Sequence, residues 1–190
     1  DLAEPALVTS ALTSGKNWGI HLRKNRKRSG WGMSLARADD PDNDFKRSEP
    51  VALTGRYRHS WVTDKGVIQA AASVAYRDWN GNDYQIRERG EVAEADVVIR
   101  SALFEADEQQ TFGLEGVWQS GRGLVQAEYL ASDLDDQNGE SWSYSGWYVA
   151  GAWFLTKDQR RYRDGGFRRL RHSGDAGAVE LTARYGELDA

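Results

Sequence analysis

The chain has 190 residues, and its 25 Lys and Arg against 29 Asp and Glu give a formal net charge of −4 at pH 7. This balance argues against a general nucleic-acid-binding protein, which would be basic over its binding face. The chain contains no cysteine, which excludes disulfides, thiolate metal sites and thiol nucleophiles. No run approaches the roughly 18 consecutive apolar residues of a transmembrane helix.

Polar and apolar residues alternate along most of the chain, and this period of two predicts β-strands rather than helices. In segment 178–186, Val179, Leu181 and Tyr185 fall on one side, while Glu180 and Arg184 fall on the other. In chain order the predicted strands are 18–23, 31–35, 51–61, 67–77, 84–91, 96–104, 112–118, 124–130, 145–155 and 178–186. They predict an all-β, antiparallel, up-and-down sheet in which each strand pairs with its sequence neighbour.

The predicted connections are short at one end of this sheet and long at the other. Short connections fall at 25–29, 63–66 and 120–123, and long polar ones at 39–50, 79–83 and 133–141. This alternation is typical of an outer-membrane β-barrel, and so are apolar faces that end in an aromatic residue. Such ends occur at Trp61, Tyr76, Trp118 and Tyr129.

Two alternatives to a transmembrane barrel channel remain open at this point. One is a soluble β-sandwich carbohydrate-binding module whose exposed Trp and Tyr stack on sugars. The other is a barrel that acts as an enzyme or an adhesin. The barrel predicts a convex, lipid-facing side and a concave, water-facing side. The convex side is predicted to hold Val125, Ala127, Tyr129, Val179, Leu181 and Tyr185, and the concave side Glu128, Glu180 and Arg184.

Several segments are similar to a known porin family. Residues 145–156 read Ser-Gly-Trp-Tyr-Val-Ala-Gly-Ala-Trp-Phe-Leu-Thr, and residues 178–189 read Ala-Val-Glu-Leu-Thr-Ala-Arg-Tyr-Gly-Glu-Leu-Asp. Together with the segments 15–19, 87–91 and 114–129, they resemble the phosphate-selective porins of the porin O and porin P family, in the family's order. The chain departs from the family pattern at Lys157-Asp158, Gly90 and Val179, where the family has Gly-Glu, Pro and Trp.

The resemblance implies a sixteen-stranded, trimeric barrel of the Gram-negative outer membrane that passes phosphate, polyphosphate or another small anion. Residues 1–190 would then form a single barrel domain, incomplete at both ends and holding about eight to ten of the strands. The implied partners are small anions, outer-membrane lipid, lipopolysaccharide and two further copies of the chain. The resemblance implies no cofactor and no enzymatic reaction.

Arginines on the predicted concave side are the candidate anion ligands. A guanidinium group offers a fork of donors that matches two phosphate oxygens, and it stays charged at any working pH. The candidate residues are Arg56, Arg58, Arg77, Arg87, Arg89, Arg100 and Arg184. In the alternative interpretation these arginines pair with inward carboxylates, such as Glu115, Glu128 and Glu180, and brace the wall of an unselective pore.

Three further features have weaker functional interpretations. Six arginines lie between residues 160 and 171, where they predict either a basic mouth that attracts anions or a solvated loop. His21, His59 and His172 are isolated, with no spacing that favours a metal site. The acidic loops near 39–44 and 133–136 lack the spacing and the glycine of an EF-hand, and they predict solvated surface.

Overall fold

A computed structural model describes residues 17–38, 49–89, 97–101, 103–163, 166–167 and 177–189. The strands are β1 Asn17–Asn25, β2 Ser29–Ala38, β3 Val51–Thr63, β4 Gly66–Tyr84, β5 Arg87–Arg89, β6 Val97–Arg100, β7 Phe104–Ser120, β8 Gly123–Asp136, β9 Ser141–Phe154, β10 Tyr162–Arg163, β11 Gly166–Phe167 and β12 Glu180–Asp189. The described residues contain no helix, and thus none that is long and apolar enough to cross a membrane.

Eight of these strands form one antiparallel sheet in the order β1-β2-β3-β4-β7-β8-β9-β12. Every strand pairs with the next strand of the sheet along the chain, so the predicted all-β, up-and-down topology is confirmed. The connections 26–28, 64–65 and 121–122 lie at one end, called here the short-turn end. The sheet is not closed, because β1 and β12 do not pair with each other.

The prediction that 84–91 and 96–104 add two strands to the main sheet is wrong. The strands β5 and β6 pair with each other in a separate two-stranded sheet, and β4 pairs directly with β7. The strand β4 has 19 residues and continues through the segment predicted as a loop at 79–83. It pairs with β7 from Val67 to Tyr84, so no free edge remains between these two strands for β5 or β6.

A β-bulge allows β4 to continue past Asp78. The register shifts between Asp78 and Asn82, and both Asn80 and Gly81 have positive φ, at 53° and 66°. Glycine takes this left-handed conformation without steric cost, and asparagine tolerates it better than most residues. The Asp78 carboxylate accepts a hydrogen bond from the Asn80 amide at 2.9 Å, and the Asn82 side chain donates to the Trp79 carbonyl at 2.8 Å. These bonds replace the ladder bonds that the bulge interrupts.

The connection predicted at 133–141 is also shorter than expected. The strand β8 continues to Asp136 and β9 begins at Ser141. The Asp136 carboxylate accepts hydrogen bonds from the backbone amides of Asn138 at 2.7 Å and Glu140 at 2.8 Å. Because the turn satisfies its own backbone in this way, the strands on both sides of it extend further than the sequence pattern predicts.

The sheet has an apolar, exposed outer face and a more polar, partly covered inner face. The predicted grouping of residues by face is confirmed, since Leu181 and Tyr185 are 64% and 63% exposed while Glu128, Glu180 and Arg184 are half-buried. Other exposed side chains of the outer face are Trp18, Ile20, Leu22, Trp31, Met33, Leu35, Leu53, Tyr57, Trp61, Ile68, Val74, Phe112, Leu114, Trp118, Val125, Tyr129, Trp147, Val149 and Trp153. A β-sandwich would bury such a face against a second sheet, and the described residues place nothing over it.

The inner face divides into two halves of different chemistry. Over β8 and β9, buried Leu130, Leu134, Tyr144 and Tyr148 form an apolar cluster that is capped by Ile86 and two aromatic side chains of β4. The rings of Phe104 and Trp142 stack beside it with centroids 4.1 Å apart. Over β3, β4 and β7 the inner face is polar, and most of the candidate arginines with described side chains lie there.

A charge on the outer face is expected to be costly at mid-depth. Leu114 lies between the aromatic residues Phe112 and Trp118 on the outer face of β7. In a barrel in a bilayer, Leu114→Arg should destabilise the fold by about 2–4 kcal/mol, because arginine is poorly solvated at mid-depth. Urea unfolding of the complete barrel in lipid vesicles measures this difference.

Two control variants distinguish the effect of depth in the bilayer from the effect of the face of the sheet on which the arginine lies. Leu181→Arg, on the outer face beside the short-turn end, should cost only about 0–1 kcal/mol. Thr182→Arg, on the inner face of the same strand, should leave stability unchanged within about 0.5 kcal/mol. A similar cost for all three substitutions would contradict the assignment of the outer face to lipid.

Candidate functional site

The strands β3 and β4 place three candidate arginines on the inner face. Arg56 and Arg58 are two residues apart on β3, so both side chains point to the same face. Arg77 reaches this face from β4, where it pairs with Ala52 of β3. Arg184 lies on the same face of β12, opposite Ala150 of β9. The four arginines therefore share one face but occupy different environments.

Arg56 forms an ion pair that crosses a whole strand. Its Nε and Nη2 atoms donate to the two carboxylate oxygens of Glu115 at 2.6 Å and 2.5 Å. Arg56 is on β3 and Glu115 on β7, so the guanidinium group extends over β4. Glu128 of β8 lies directly opposite Glu115 in the register, which places two carboxylates beside one guanidinium group. This contact matches the alternative interpretation, in which inward arginines pair with wall carboxylates.

Arg58 is buried, with only 5% of its surface exposed. Its Nη1 atom donates to Ser60 Oγ at 3.4 Å and Tyr162 Oη at 3.3 Å, and its Nη2 atom donates to Asn25 Oδ1 at 3.3 Å. A Cβ atom at Gly30 would lie 3.0 Å from Nη2, so the glycine provides the space that the guanidinium group occupies. The hydrogen-bond partners of Arg58 are neutral, and its charge is therefore solvated by dipoles.

Arg77 borders a cavity on the inner face. Its Cζ atom lies 5.0 Å from the ring centroid of Trp79, whose indole nitrogen donates to Gln109 at 3.1 Å. Within the described part of the chain, Arg77 forms no ion pair. The cavity has a volume of about 220 Å³ and its polar lining comes from Thr54, Arg56, Ser73, Arg77, Gln109 and Thr111. This combination of a half-buried cation and several hydroxyl groups is suited to an anion.

The remaining candidate arginines lie elsewhere. Arg87 and Arg100 occupy facing positions of the small β5–β6 sheet, and Arg89 faces Val97. The side chains of these three arginines lie outside the described residues. The structure thus brings Arg56 and Arg77 to one cavity and places Arg58 and Arg184 outside its lining.

Part of the arginine-rich connection, which the sequence predicted as a basic mouth or a solvated loop, crosses the inner face at the short-turn end. This strap, residues 155–163, leaves β9 and reaches β3 and β4, which are separated from β9 by β7 and β8 in the sheet. The Tyr162 hydroxyl lies 2.5 Å from Ser60 Oγ and donates to Gln69 Oε1 at 3.2 Å. Arg160 anchors the strap nearer its origin, with Nη2 2.9 Å from Glu180 Oε2. The strap therefore connects distant strands across the inner face.

The strap changes how the arginine-rich connection is interpreted. Arg160 is engaged by Glu180 and by the ring of Phe154, whose centroid is 5.8 Å from its Cζ atom, while Arg161 is exposed. The side chains of Arg163, Arg168, Arg169 and Arg171 lie outside the described residues. Residues 145–155 are apolar on both strand faces, which indicated from the sequence that the inner face of this strand is also covered. No local signal marked Tyr162 as a contact across the sheet.

The described residues give no support for a metal centre. No group of three or more His, Asp or Glu side chains among them has the geometry to hold a metal ion. His59 is on the outer face, where its ring lies 4.7 Å from the ring of Trp61, and His172 lies outside the described residues.

The fold and the inner face together define a class of protein. An up-and-down antiparallel sheet that is apolar outside and polar inside, with aromatic side chains along its outer band, is the architecture of outer-membrane β-barrels. The family model of the phosphate-selective porins O and P matches residues 3–190. The chain belongs to this family of porins, as the resemblance in its sequence indicates.

A curated relative is found in Caulobacter vibrioides. It is an uncharacterized protein that is 35% identical to this chain over 99 residues, which is 48% of this chain and 20% of the relative. The chain thus spans about one fifth of the length of the curated relative that it matches.

The Tyr162 hydroxyl is expected to hold the strap in place. Tyr162→Phe removes its hydrogen bonds to Ser60, Gln69 and Arg58, so that part of the polar environment of buried Arg58 is lost. The expected cost is about 1–3 kcal/mol, the usual range when buried polar groups lose a partner. Limited trypsin digestion of the folded protein should then show faster cleavage after exposed Arg161.

Tyr57→Phe provides the matched control, because the Tyr57 side chain is exposed on the outer face. It should leave the cleavage rate after Arg161 unchanged. Equal cleavage of the Tyr162→Phe variant and the unaltered protein would show that the hydroxyl does not retain the strap.

Proposed function

We propose that this chain forms part of a pore through the Gram-negative outer membrane, along which small anions, phosphate among them, diffuse passively over the inner face. The observation that favours this proposal most is Arg77, a half-buried guanidinium group without an ion-pair partner among the described residues, which borders a cavity that also has hydroxyl groups in its lining. The family membership supports a channel rather than an enzyme.

The proposed anion site lies between Arg77 and Arg56. The two residues are offset by four positions on neighbouring strands, or about 13 Å along the sheet. Both side chains contribute to the lining of the cavity, together with the hydroxyl groups of Thr54, Ser73 and Thr111. A contact between unit charges at 4 Å is worth about 4 kcal/mol at an effective dielectric of 20, against about 1 kcal/mol in water. Partial burial therefore strengthens the attraction, which must remain weak enough for release.

The other arginines have distinct proposed roles. The charge of Arg56 is already neutralised by Glu115, so Arg56 would bind a passing anion only by sharing its guanidinium donors between the anion and the carboxylate. Arg58, enclosed by neutral groups and the strap, would contribute its field rather than a direct contact. Arg184 and the β5–β6 residues Arg87, Arg89 and Arg100 would extend the positive lining along the pore. All seven remain proposed residues of the anion path, by contact or by their charge.

The surroundings of the pore are also part of the proposal. The exposed apolar band of the outer face is suited to outer-membrane lipid, with lipopolysaccharide at the end of the longer loops. Three copies of a complete barrel would form the assembly that the family resemblance implies.

Arg77 is expected to determine anion preference. In the complete barrel, Arg77→Gln should lower the permeability ratio of anion to cation, because the cavity loses its unpaired cation. Arg77→Glu should lower it further and move the preference toward cations. Zero-current potentials of a planar bilayer between unequal salt solutions measure the ratio.

Arg37→Gln is the matched control, since Arg37 is exposed and lies beside Glu49 at 3.9 Å, away from the cavity. It should leave the zero-current potential unchanged. An unaltered potential in both Arg77 variants would mean that Arg77 is structural and that other residues select the anion.

Releasing Arg56 from its carboxylate is expected to raise the preference for anions, whereas the Arg77 variants lower it. Glu115→Gln leaves the guanidinium group without its bidentate partner and removes a negative charge from the inner face. Anion permeability should rise, while unfolding stability should change by only about 0–1 kcal/mol, because the pair is partly exposed. Inhibition of chloride current by added phosphate should occur at a lower phosphate concentration in this variant. An unchanged or higher phosphate requirement would contradict the assignment of Arg56 to the anion path.

A further inference from the structure

Charged side chains are segregated between the two ends of the sheet. The short-turn end has a basic rim formed by the turns and the strap. Its cationic side chains are Lys24, Arg26, Lys27, Arg28, Lys65, Arg122, Lys157, Arg160 and Arg161. Among the residues with described side chains, the acids at this end are Asp64, Asp158 and Glu180. Glu180 is paired with Arg160, so the remaining cations at this end outnumber the two remaining acids.

The opposite end has an acidic rim. Its carboxylates are Glu49, Asp78, Asp83, Glu105, Asp107, Glu108, Asp133, Asp135, Asp136, Glu140, Glu187 and Asp189. The cations whose side chains are described at this end are Arg37 and Arg77, and Arg37 is paired with Glu49 at 3.9 Å. Counted over the residues with described side chains, the two rims thus have opposite net charge.

The acidic rim contains like charges that face each other across neighbouring strands. Glu108 of β7 lies opposite both Asp78 of β4 and Asp135 of β8, and Asp83 lies opposite Glu105. Directly opposed like charges destabilise a sheet. Stability of the fold therefore does not account for this arrangement.

The two rims are far enough apart to act independently. The 13 residues of β3 span about 40 Å from one end of the sheet to the other. At an ionic strength of about 0.1 M the Debye length is about 10 Å, so each rim maintains its own atmosphere of counterions. Anions are enriched at the basic rim and cations at the acidic rim.

We infer that this polarity makes the pore rectify, with a larger current when anions are driven from the basic rim toward the acidic rim. A field of this sign moves anions and cations into the pore from the rims where each is enriched, so mobile charge accumulates and conductance rises. The reverse field draws both kinds of ion out and lowers conductance. The inference rests on the proposed function, because it requires a pore that conducts ions.

The test uses the full-length porin that contains this chain, inserted in one orientation in a planar bilayer. Current is recorded at equal positive and negative voltages in about 0.1 M KCl and again in about 1 M KCl, where the Debye length falls to about 3 Å. At low salt the current should be larger at the voltage that drives anions into the pore from the short-turn side. The ratio of this current to the current at the opposite voltage should then exceed one. It should approach one at high salt.

A charge-reversal variant tests whether the rims cause the asymmetry. Lys65 and Arg161 line one opening of about 780 Å³ at the short-turn end, and both side chains are exposed. Lys65→Glu combined with Arg161→Glu makes the basic rim more negative by four charges and should move the current ratio at low salt toward one. The control combines Arg37→Gln with Glu49→Gln, which removes one charge of each sign at a single rim, and it should keep the asymmetry.

The outcomes distinguish this inference from the proposed function. Equal currents at both polarities in a pore that remains anion-selective would overturn the inference alone, and so would an asymmetry that the Lys65→Glu, Arg161→Glu variant leaves unchanged. A pore without anion preference would overturn the proposed function itself.

Discussion

The constraint on which this structure depends is the pairing of backbone polar groups. Hydrocarbon offers no hydrogen-bond partner, so every amide and carbonyl of a chain that enters lipid must be satisfied within the protein. Antiparallel pairing of long strands meets this requirement for the strands between the two edges of the main sheet, and it fixes the alternation of faces. Apolar side chains can then point outward, and the charged groups that a pore needs can point inward without contacting lipid.

The alternation of faces was predictable because it is a local property with a period of two. Leu181 and Tyr185 on one side, with Glu180 and Arg184 on the other, already indicate the orientation of their strand. The positions of Arg56 and Arg77 on the inner face follow in the same way. The family resemblance adds the class of protein, which the alternation alone leaves open between a barrel and a sandwich.

The sequence indicated carboxylates such as Glu115 as partners of inward arginines, but it could not predict which residues meet, because the contacts join residues far apart in the sequence. Arg56 meets Glu115 only because β4 pairs directly with β7, whereas the pattern predicted two strands between them. The bulge after Asp78 depends on two residues with positive φ, which in the sequence resemble an ordinary polar turn. The burial of Arg58 depends on Tyr162 and Gly30, and neither residue differs in its local pattern from many others in the chain.

The strap has a mechanical consequence for the shape of the sheet. Hydrogen bonds between adjacent strands fix the spacing of neighbours, but they leave the bending of the sheet as a whole comparatively soft. The strap connects β9 and β12, through Arg160 and Glu180, to β3 and β4, through Tyr162, Ser60 and Gln69. A link between strands that are not neighbours acts as a chord across an arc, because its length limits how far the arc can open. The curvature of the sheet at this end is therefore limited by a short stretch of chain as well as by the strand ladder.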